Sequence, residues 1–192
     1  MGRCFSPITS PSPLGPGVGL ARYRVLCRVL WLGLVLGALC LGASAQAKSF
    51  SGKVLRVVDG DSIELLDAHD DVLRIRLEGI DAPEWNQPFG DVSKAYLRRT
   101  IEGKTVRVNT RKQDMYGRWV AQVRIRKTDV SLLQVQQGLA WVFRRYEHEL
   151  TEPQRQAFNT AEAAAQNQNL GLWQQASPMS PWEWRRLNSH HK

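Results

Sequence analysis

The feature that most narrows the folds open to this chain is a series of short alternating β-type runs cut by polar turns. Phe50–Val58 reads FSGKVLRVV, Ser62–Leu66 resumes after Asp59-Gly60-Asp61, and Val72–Leu77 follows the polar turn Asp67–Asp71. Successive side chains of a strand point to opposite faces. In the third run this puts Val72, Arg74 and Arg76 on one face and Leu73, Ile75 and Leu77 on the other. Three such runs in succession predict a meander. Lys104–Asn109, Arg118–Ile125 and Ala140–Phe143 extend the β content.

Helices are expected between these runs. One spans Ser93–Ile101, with Asp91 or Ser93 as cap and Gly103 as stop. A second runs from the cap Asp129 through Gln137 to Gly138. A third is capped by Thr151, carries Pro153 in its first turn where proline is tolerated, buries a stripe of Phe158, Ala161 and Ala165, and ends at Asn169–Gly171. The pattern predicts a mainly β, α+β fold: a small, partly open barrel with packed helices. The tail from residue 176 to 192 is basic and tryptophan-rich. Its Pro181-Trp182-Glu183-Trp184 pattern predicts an extended piece fixed against the core, with Arg185 and Arg186 near solvent.

The first 47 residues read differently. They hold no acidic residue, place Arg22, Arg24 and Arg28 before the apolar run Val29–Leu41, and end in Ala43-Ser44-Ala45-Gln46-Ala47. A basic flank, a short apolar core and a small-residue end predict a secretory signal peptide cleaved after Ala47, or after Ala45. The apolar stretch can be extended back to Val25, so an uncleaved inner-membrane anchor is the alternative. Cys4, Cys27 and Cys40 all fall in this leader. The remaining domain, residues 48–175 plus the tail, therefore has no disulfide, no thiol nucleophile and no cysteine zinc site. The whole chain carries a formal charge of +8, and +4 remains after the leader's four arginines are set aside. A moderately basic domain suits a polyanionic partner.

Three segments carry chemistry: Asp59-Gly60-Asp61-Ser62, Arg76-Leu77-Glu78-Gly79-Ile80-Asp81-Ala82-Pro83-Glu84 and Asp114-Met115-Tyr116-Gly117-Arg118. Each alone is an ordinary turn or strand edge. Together they hold the parts that phosphodiester cleavage needs. Asp61, Asp81 and the backbone carbonyl of Ala82 are oxygen donors of the kind Ca²⁺ accepts. Glu84, beyond a restraining proline, is placed as a base for water. Arg76 and Arg118 come from different strands and can clamp one phosphate, a task suited to a permanently charged planar fork. Asp59 is read either as a group holding a metal-bound water or as a turn former. His69, His148, His190 and His191 lack metal-ligand spacing and are read as exposed.

The combined pattern resembles the staphylococcal nuclease (thermonuclease) family. The resemblance rests on V-x-D-G-D-[ST] at Val57–Ser62, R-L-x-x-[IV]-D-x-P-E at Arg76–Glu84 and D-x-Y-G-R at Asp114–Arg118. Gln137-Gly138-Leu139-Ala140 and Asn169-Leu170-Gly171-Leu172-Trp173 support it. It covers about residues 50–175 and implies a five-stranded OB-fold barrel with three α-helices and one Ca²⁺ site. By position, Asp61 and Asp81 resemble the metal ligands, Glu84 the general base, and Arg76 and Arg118 the phosphate-binding pair. Tyr116 resembles a nucleotide-contacting aromatic, and Tyr146 is retained near that site. The implied activity is endonucleolytic and exonucleolytic hydrolysis of DNA and RNA, single strands preferred, to 3′-phosphate products. The enzyme would be a monomer with no stable protein partner, exported to the periplasm or beyond. Loss of the carboxylates and arginines would instead mark a non-catalytic nucleic-acid-binding OB module, but all five are present. The sequence departs from the family at Ala82, where some members have threonine, and at Arg144, where an aromatic is expected. The loop Trp85–Val92 also looks shorter, with Trp85 available to stack on a base.

Overall fold

The computed structural model describes residues 48–188. The expected leader, with its three cysteines, and the tail residues 189–192, with His190 and His191, lie outside the described residues. Strands β1 (Lys48–Val57), β2 (Ser62–Leu66) and β3 (Val72–Leu77) form the expected antiparallel meander. A two-residue strand β4 (Ile80–Asp81) follows, then helix α1 (Gly90–Ile101). Strands β5 (Thr105–Gln113) and β6 (Trp119–Ile125) form a hairpin, and β7 (Thr128–Asp129) leads into helix α2 (Val130–Gln136). The short strand β8 (Trp141–Val142) precedes a 3-10 turn at Arg144–Glu149, helix α3 (Glu152–Asn167), a 3-10 turn at Gly171–Gln174 and helix α4 (Pro181–Asn188).

The main sheet runs β3-β2-β1-β5-β6-β7, and a parallel pairing of β3 with β6 closes its five longer strands into a barrel. β1 serves two neighbours, pairing with β5 through Lys48–Lys53 and with β2 through Lys53–Val57. Its pairing with β2 is irregular between Val54 and Arg56, and at Gly52 a Cβ would lie 2.3 Å from Leu65 Cδ2. Closure leaves one apolar interior. Val54, Ile63, Leu65, Ile75, Leu77, Val108 and Val123 fill it, and Leu97, Ile101, Val135 and Phe158 from three helices cover it. Each such side chain is worth roughly 1.5–3 kcal/mol of apolar burial.

Most of the expected elements form, and the α+β, five-stranded barrel is the observed fold. Asp129 Oδ1 accepts from the backbone N–H groups of Ser131 and Leu132. Thr151 and Gln154 form a capping box, and Phe158, Ala161 and Ala165 are buried. Two local expectations are corrected. α1 starts at Gly90 rather than Ser93, and neither Asp91 nor Ser93 caps it. Its cap position is Phe89 in the left-handed region, φ 68°, without a side-chain cap bond. Ser93 is instead buried, where its Oγ accepts from Gln134 Nε2 at 3.1 Å. The second correction is the tail, where Pro181–Asn188 is a fourth helix rather than an extended strap. Ser180 Oγ and N–H both donate to the Glu183 carboxylate, which fastens the first turn behind a proline at its first position.

Candidate active site

Barrel closure brings the three sequence segments to one end. Arg76 on β3 pairs with Ser62 of β2 on one side and Val120 of β6 on the other. Asp61 lies just before β2, Arg118 just before β6, and Asp81 ends β4. Residues far apart in the chain thus share one strand edge.

Each loop is built for its position. Asp59 Oδ1 accepts from Asp61 N–H at 3.0 Å and shapes the turn that carries Asp61. The buried Gln134 of α2 donates to Gly60 O at 2.6 Å and to Ser93 O at 3.2 Å, tying this turn to α1 and α2. Asp114 Oδ1 accepts from Tyr116 N–H and Arg118 N–H, both at 2.9 Å, and its Oδ2 accepts from Arg118 Nε at 2.8 Å. The loop after Asp81 folds tightly: a Cβ at Gly90 would lie 2.0 Å from Glu84 O. Gln87, also buried, accepts from Glu84 N–H at 3.1 Å and donates to Met179 O at 2.7 Å.

At the centre, Arg76 bridges the two aspartates. Its Nη1 is 2.7 Å from Asp61 Oδ2, and its Nη2 is 2.9 Å from Asp81 Oδ1. Asp61 Oδ2 also accepts from Ala82 N–H at 2.7 Å, and Asp61 Oδ1 from Ser62 Oγ at 3.0 Å. Arg118 Nη1 reaches the same Ser62 Oγ at 3.3 Å. Asp61 and Asp81 are 5 % and 1 % exposed. Burial pushes the Asp61 carboxyl up to about 8 against the pull of Arg76, and the nearby charges of Asp59 and Asp81 add to the rise.

A buried, oxygen-lined place that sets two aspartates close together fits a hard divalent cation. Asp61, Asp81 and backbone oxygen near Ala82 would hold it. Among the described residues, no three His, Cys, Asp or Glu side chains gather as a ligand set. Such a cation would therefore complete its shell with backbone oxygen and water. Arg118 and Arg76, on either side of Ser62, can stabilise negative charge on a phosphoryl group, and Glu84 is a carboxylate able to take a proton from water.

Tyr116 is 65 % exposed and stands beside Arg118, whose guanidinium carbon is 5.5 Å from its ring centroid. Trp85, next to Glu84, is 79 % exposed. Tyr146 sits in the 3-10 turn after β8, edge-on to Phe143 at 5.2 Å and under Lys112 Nζ at 4.7 Å. Arg144 is a structural tie that pairs with Glu162 and Asn159 of α3. His69 and His148 are exposed, as expected.

Sequence reasoning missed Arg185. Its Nη2 lies 2.7 Å from Asp81 Oδ2, and its Nη1 lies 3.2 Å from Asp81 Oδ1 and 2.6 Å from Glu84 Oε1. Burial alone would lower its pKa, but the hydrogen bonds and charges of Asp81 and Glu84 raise it above the usual arginine value. A signal for the helix was present, since Ser180-Pro181-Trp182-Glu183 is a capping-box sequence with proline at the first helical position. Nothing local reveals where that helix docks.

Comparison with known proteins agrees with this architecture. The profile of the family described as staphylococcal nuclease homologue matches residues 74–175, a span that includes Arg76, Asp81, Glu84 and Arg118 and begins after Asp61. A protein of Escherichia coli O157:H7 named an uncharacterized endonuclease is 40 % identical over 135 residues, covering 70 % of this chain and 84 % of its own length. One of the same name from Haemophilus influenzae is 33 % identical over 159 residues, 83 % of this chain and 85 % of its own. A Shigella flexneri protein named micrococcal nuclease is 33 % identical over 169 residues, 83 % of this chain and 94 % of its own.

Proposed function

Starting from the fact that this chain belongs to the staphylococcal nuclease homologue family, we propose that it is a Ca²⁺-dependent nuclease hydrolysing phosphodiester bonds of DNA and RNA. The observation that carries the reading is the Asp61–Arg76–Asp81 bridge, with Arg118 hydrogen-bonded to Ser62 on one side and Glu84 on the other.

Each residue has a task. Asp61 and Asp81 hold the cation, with backbone oxygen near Ala82. When bound, the cation supplies Lewis-acid polarisation of a phosphoryl oxygen. Glu84 accepts the proton of the attacking water. Arg118 and Arg76 bind the phosphate oxygens on which charge grows, and their rigid forks suit that geometry. Tyr116 and the exposed Trp85 offer faces on which bases of a single strand stack, and Tyr146 contributes further along the strand. Attack that expels the 5′ oxygen leaves 3′-phosphates on both DNA and RNA products. The enzyme acts as a monomer after export, with the leader removed after Ala47. Among the described residues no helix is long and apolar enough to cross a membrane.

The test is cleavage of single-stranded DNA and RNA by the purified protein with Ca²⁺, with Mg²⁺ and with chelator, beside Glu84→Ala. Cutting that needs Ca²⁺, leaves 3′-phosphates and disappears in the variant is the expected result. Salt-sensitive binding without cutting would instead make the protein a non-catalytic OB module. The mass of the mature N-terminus from exporting cells tests the leader.

A further inference from the structure

The last helix is anchored to the loop that carries Glu84 by contacts unrelated to its own charge. The buried Gln87 joins the Glu84 backbone N–H to Met179 O. Trp184 Nε1 donates to Asn86 Oδ1 at 3.1 Å. Trp182 stacks on Phe143 at 5.9 Å and meets Trp141 edge-on at 5.7 Å, and Trp141 is the β8 partner of Asp81. These contacts hold α4 at the mouth of the site. From there Arg185 reaches both oxygens of Asp81 and one of Glu84.

The consequence is competition for the same oxygens. Asp81 Oδ1 accepts from Arg76 and Arg185, and Asp81 Oδ2 accepts from Arg185. Both Asp61 oxygens are also engaged, by Ser62, by Arg76 and by the Ala82 N–H. Arg76 rises from barrel strand β3 and its side chain is only 13 % exposed, so it stays within the site. Arg185 is different. Its side chain is 46 % exposed and sits on a helix of eight residues at the end of the fold. A flexible arginine stem can swing to water while α4 stays docked through Trp182 and Trp184.

We propose that Arg185 is a tethered counter-cation that occupies Asp81 and Glu84 and must withdraw before a divalent cation binds. The inference rests on the Ca²⁺ reading above. Arg185 then sets the affinity of the site for the ion, and by linkage the ion frees Arg185 from Asp81. The released guanidinium remains near Glu84. The Asp81 carboxylate is never left buried without a positive partner, which would be costly.

The experiment is calorimetric titration of metal-free protein with CaCl₂ at fixed salt, for wild type, Arg185→Gln and Arg56→Gln. Arg56 carries the same charge on the barrel surface, where it pairs with Glu64, so its variant isolates the effect of position from that of net charge. The expected result is that Arg185→Gln binds Ca²⁺ about tenfold more tightly, while Arg56→Gln stays within about twofold of wild type. Side-chain NMR adds a second readout: Ca²⁺ should move the Arg185 Nε–Hε resonance towards that of a solvent-exposed guanidinium in wild type and in Arg56→Gln, while the backbone amides of Pro181–Asn188 keep their protection. Equal affinity in wild type and Arg185→Gln would overturn the proposal and leave the Ca²⁺ reading standing. Weaker binding by Arg185→Gln would also overturn it and make Arg185 a positioning residue for the site. Failure of all three proteins to bind Ca²⁺ would overturn both.

Discussion

Two places in this molecule bury carboxylates, and they do so in opposite ways. Beside α3, Glu78 and Glu162 are each held by more than one hydrogen-bond donor. Glu78 accepts from Arg111 Nε at 2.7 Å and from Gln154 Nε2 at 2.9 Å, and Glu162 accepts from Val142 N–H at 2.8 Å and from Arg144. Both tie α3 to the sheet. At the mouth, Asp61, Asp81 and Glu84 are crowded within reach of two arginines, and each guanidinium is shared between two of them. Burial raises the pKa of Glu78 and Glu162 as well as that of Asp61; one neighbouring acid adds to the rise at each glutamate, Asp129 and Glu147 respectively, and two, Asp59 and Asp81, add to it at Asp61. Acids that join one element to another hold a fold together. Crowded acids with shared donors oppose it, and a crowded group persists where a ligand is to be bound.

The sharpest test of this contrast is at the mouth. Glu84→Ala and Arg118→Ala should each lower turnover by about 10²–10⁴-fold while the melting temperature stays within a degree or two of wild type, since neither belongs to the core. Wild-type rates in either variant would remove that residue from the machinery. The reverse pattern is expected beside α3. Glu162→Ala strands the buried Val142 N–H and leaves Arg144 only Glu147 and Asn159, so it should lose about 1–3 kcal/mol in urea unfolding, with near-normal cleavage at 25 °C. If Glu162→Ala proved as inactive as Glu84→Ala while still folded, the two regions would not be distinct.

A third variant separates crowding from burial. Asp61→Asn keeps an acceptor for the Ala82 N–H and removes a group whose charged form burial disfavours, so in calcium-free buffer it should gain ~1 kcal/mol of stability and lose Ca²⁺ binding. A loss of stability would show that Asp61 is a structural acid like Glu162. The smallest effect concerns the turn before β6. Burial disfavours the charged form of Asp114, but its bonds to Arg118 and Tyr116 outweigh this and hold its carboxyl below the ordinary value. The stability it supplies is present above about pH 3.9 and is lost as pH falls through the lower folded value. An acid titration of Asp114→Asn should lack this component of the wild-type curve.

Much of this was legible in the sequence. The alternation of Val72–Leu77 gave the buried face of β3, and the capping residues Asp129 and Thr151 marked two helices within a residue. Asp61, Arg76 and Asp81 could be grouped because two strands and two turns bring them together within about twenty residues. α1 begins earlier than expected because it follows directly on the turns Glu84–Gln87 and Gln87–Gly90, with no side-chain cap to announce its start. The tail was misread because alternating Trp-Glu-Trp suggests a strand, while Ser180 and Glu183 favour a helix and win locally. Arg185 meets its partners across 101 and 104 residues, a separation that no local pattern encodes.

The parallel pairing of β3 with β6 has a kinetic consequence. Asp61 and Arg76 belong to a meander that forms from neighbours in sequence, but Asp81 is fixed only when β8 pairs with β4, and Arg118 reaches Ser62 only when β6 docks on β3. Pairings between distant segments are the slow part of folding a small β protein, because the chain must close a long loop before the contact repays it. Cutting ability should therefore emerge with the last phase of refolding, later than the helical signal, so a half-assembled chain is harmless to the nucleic acid around it.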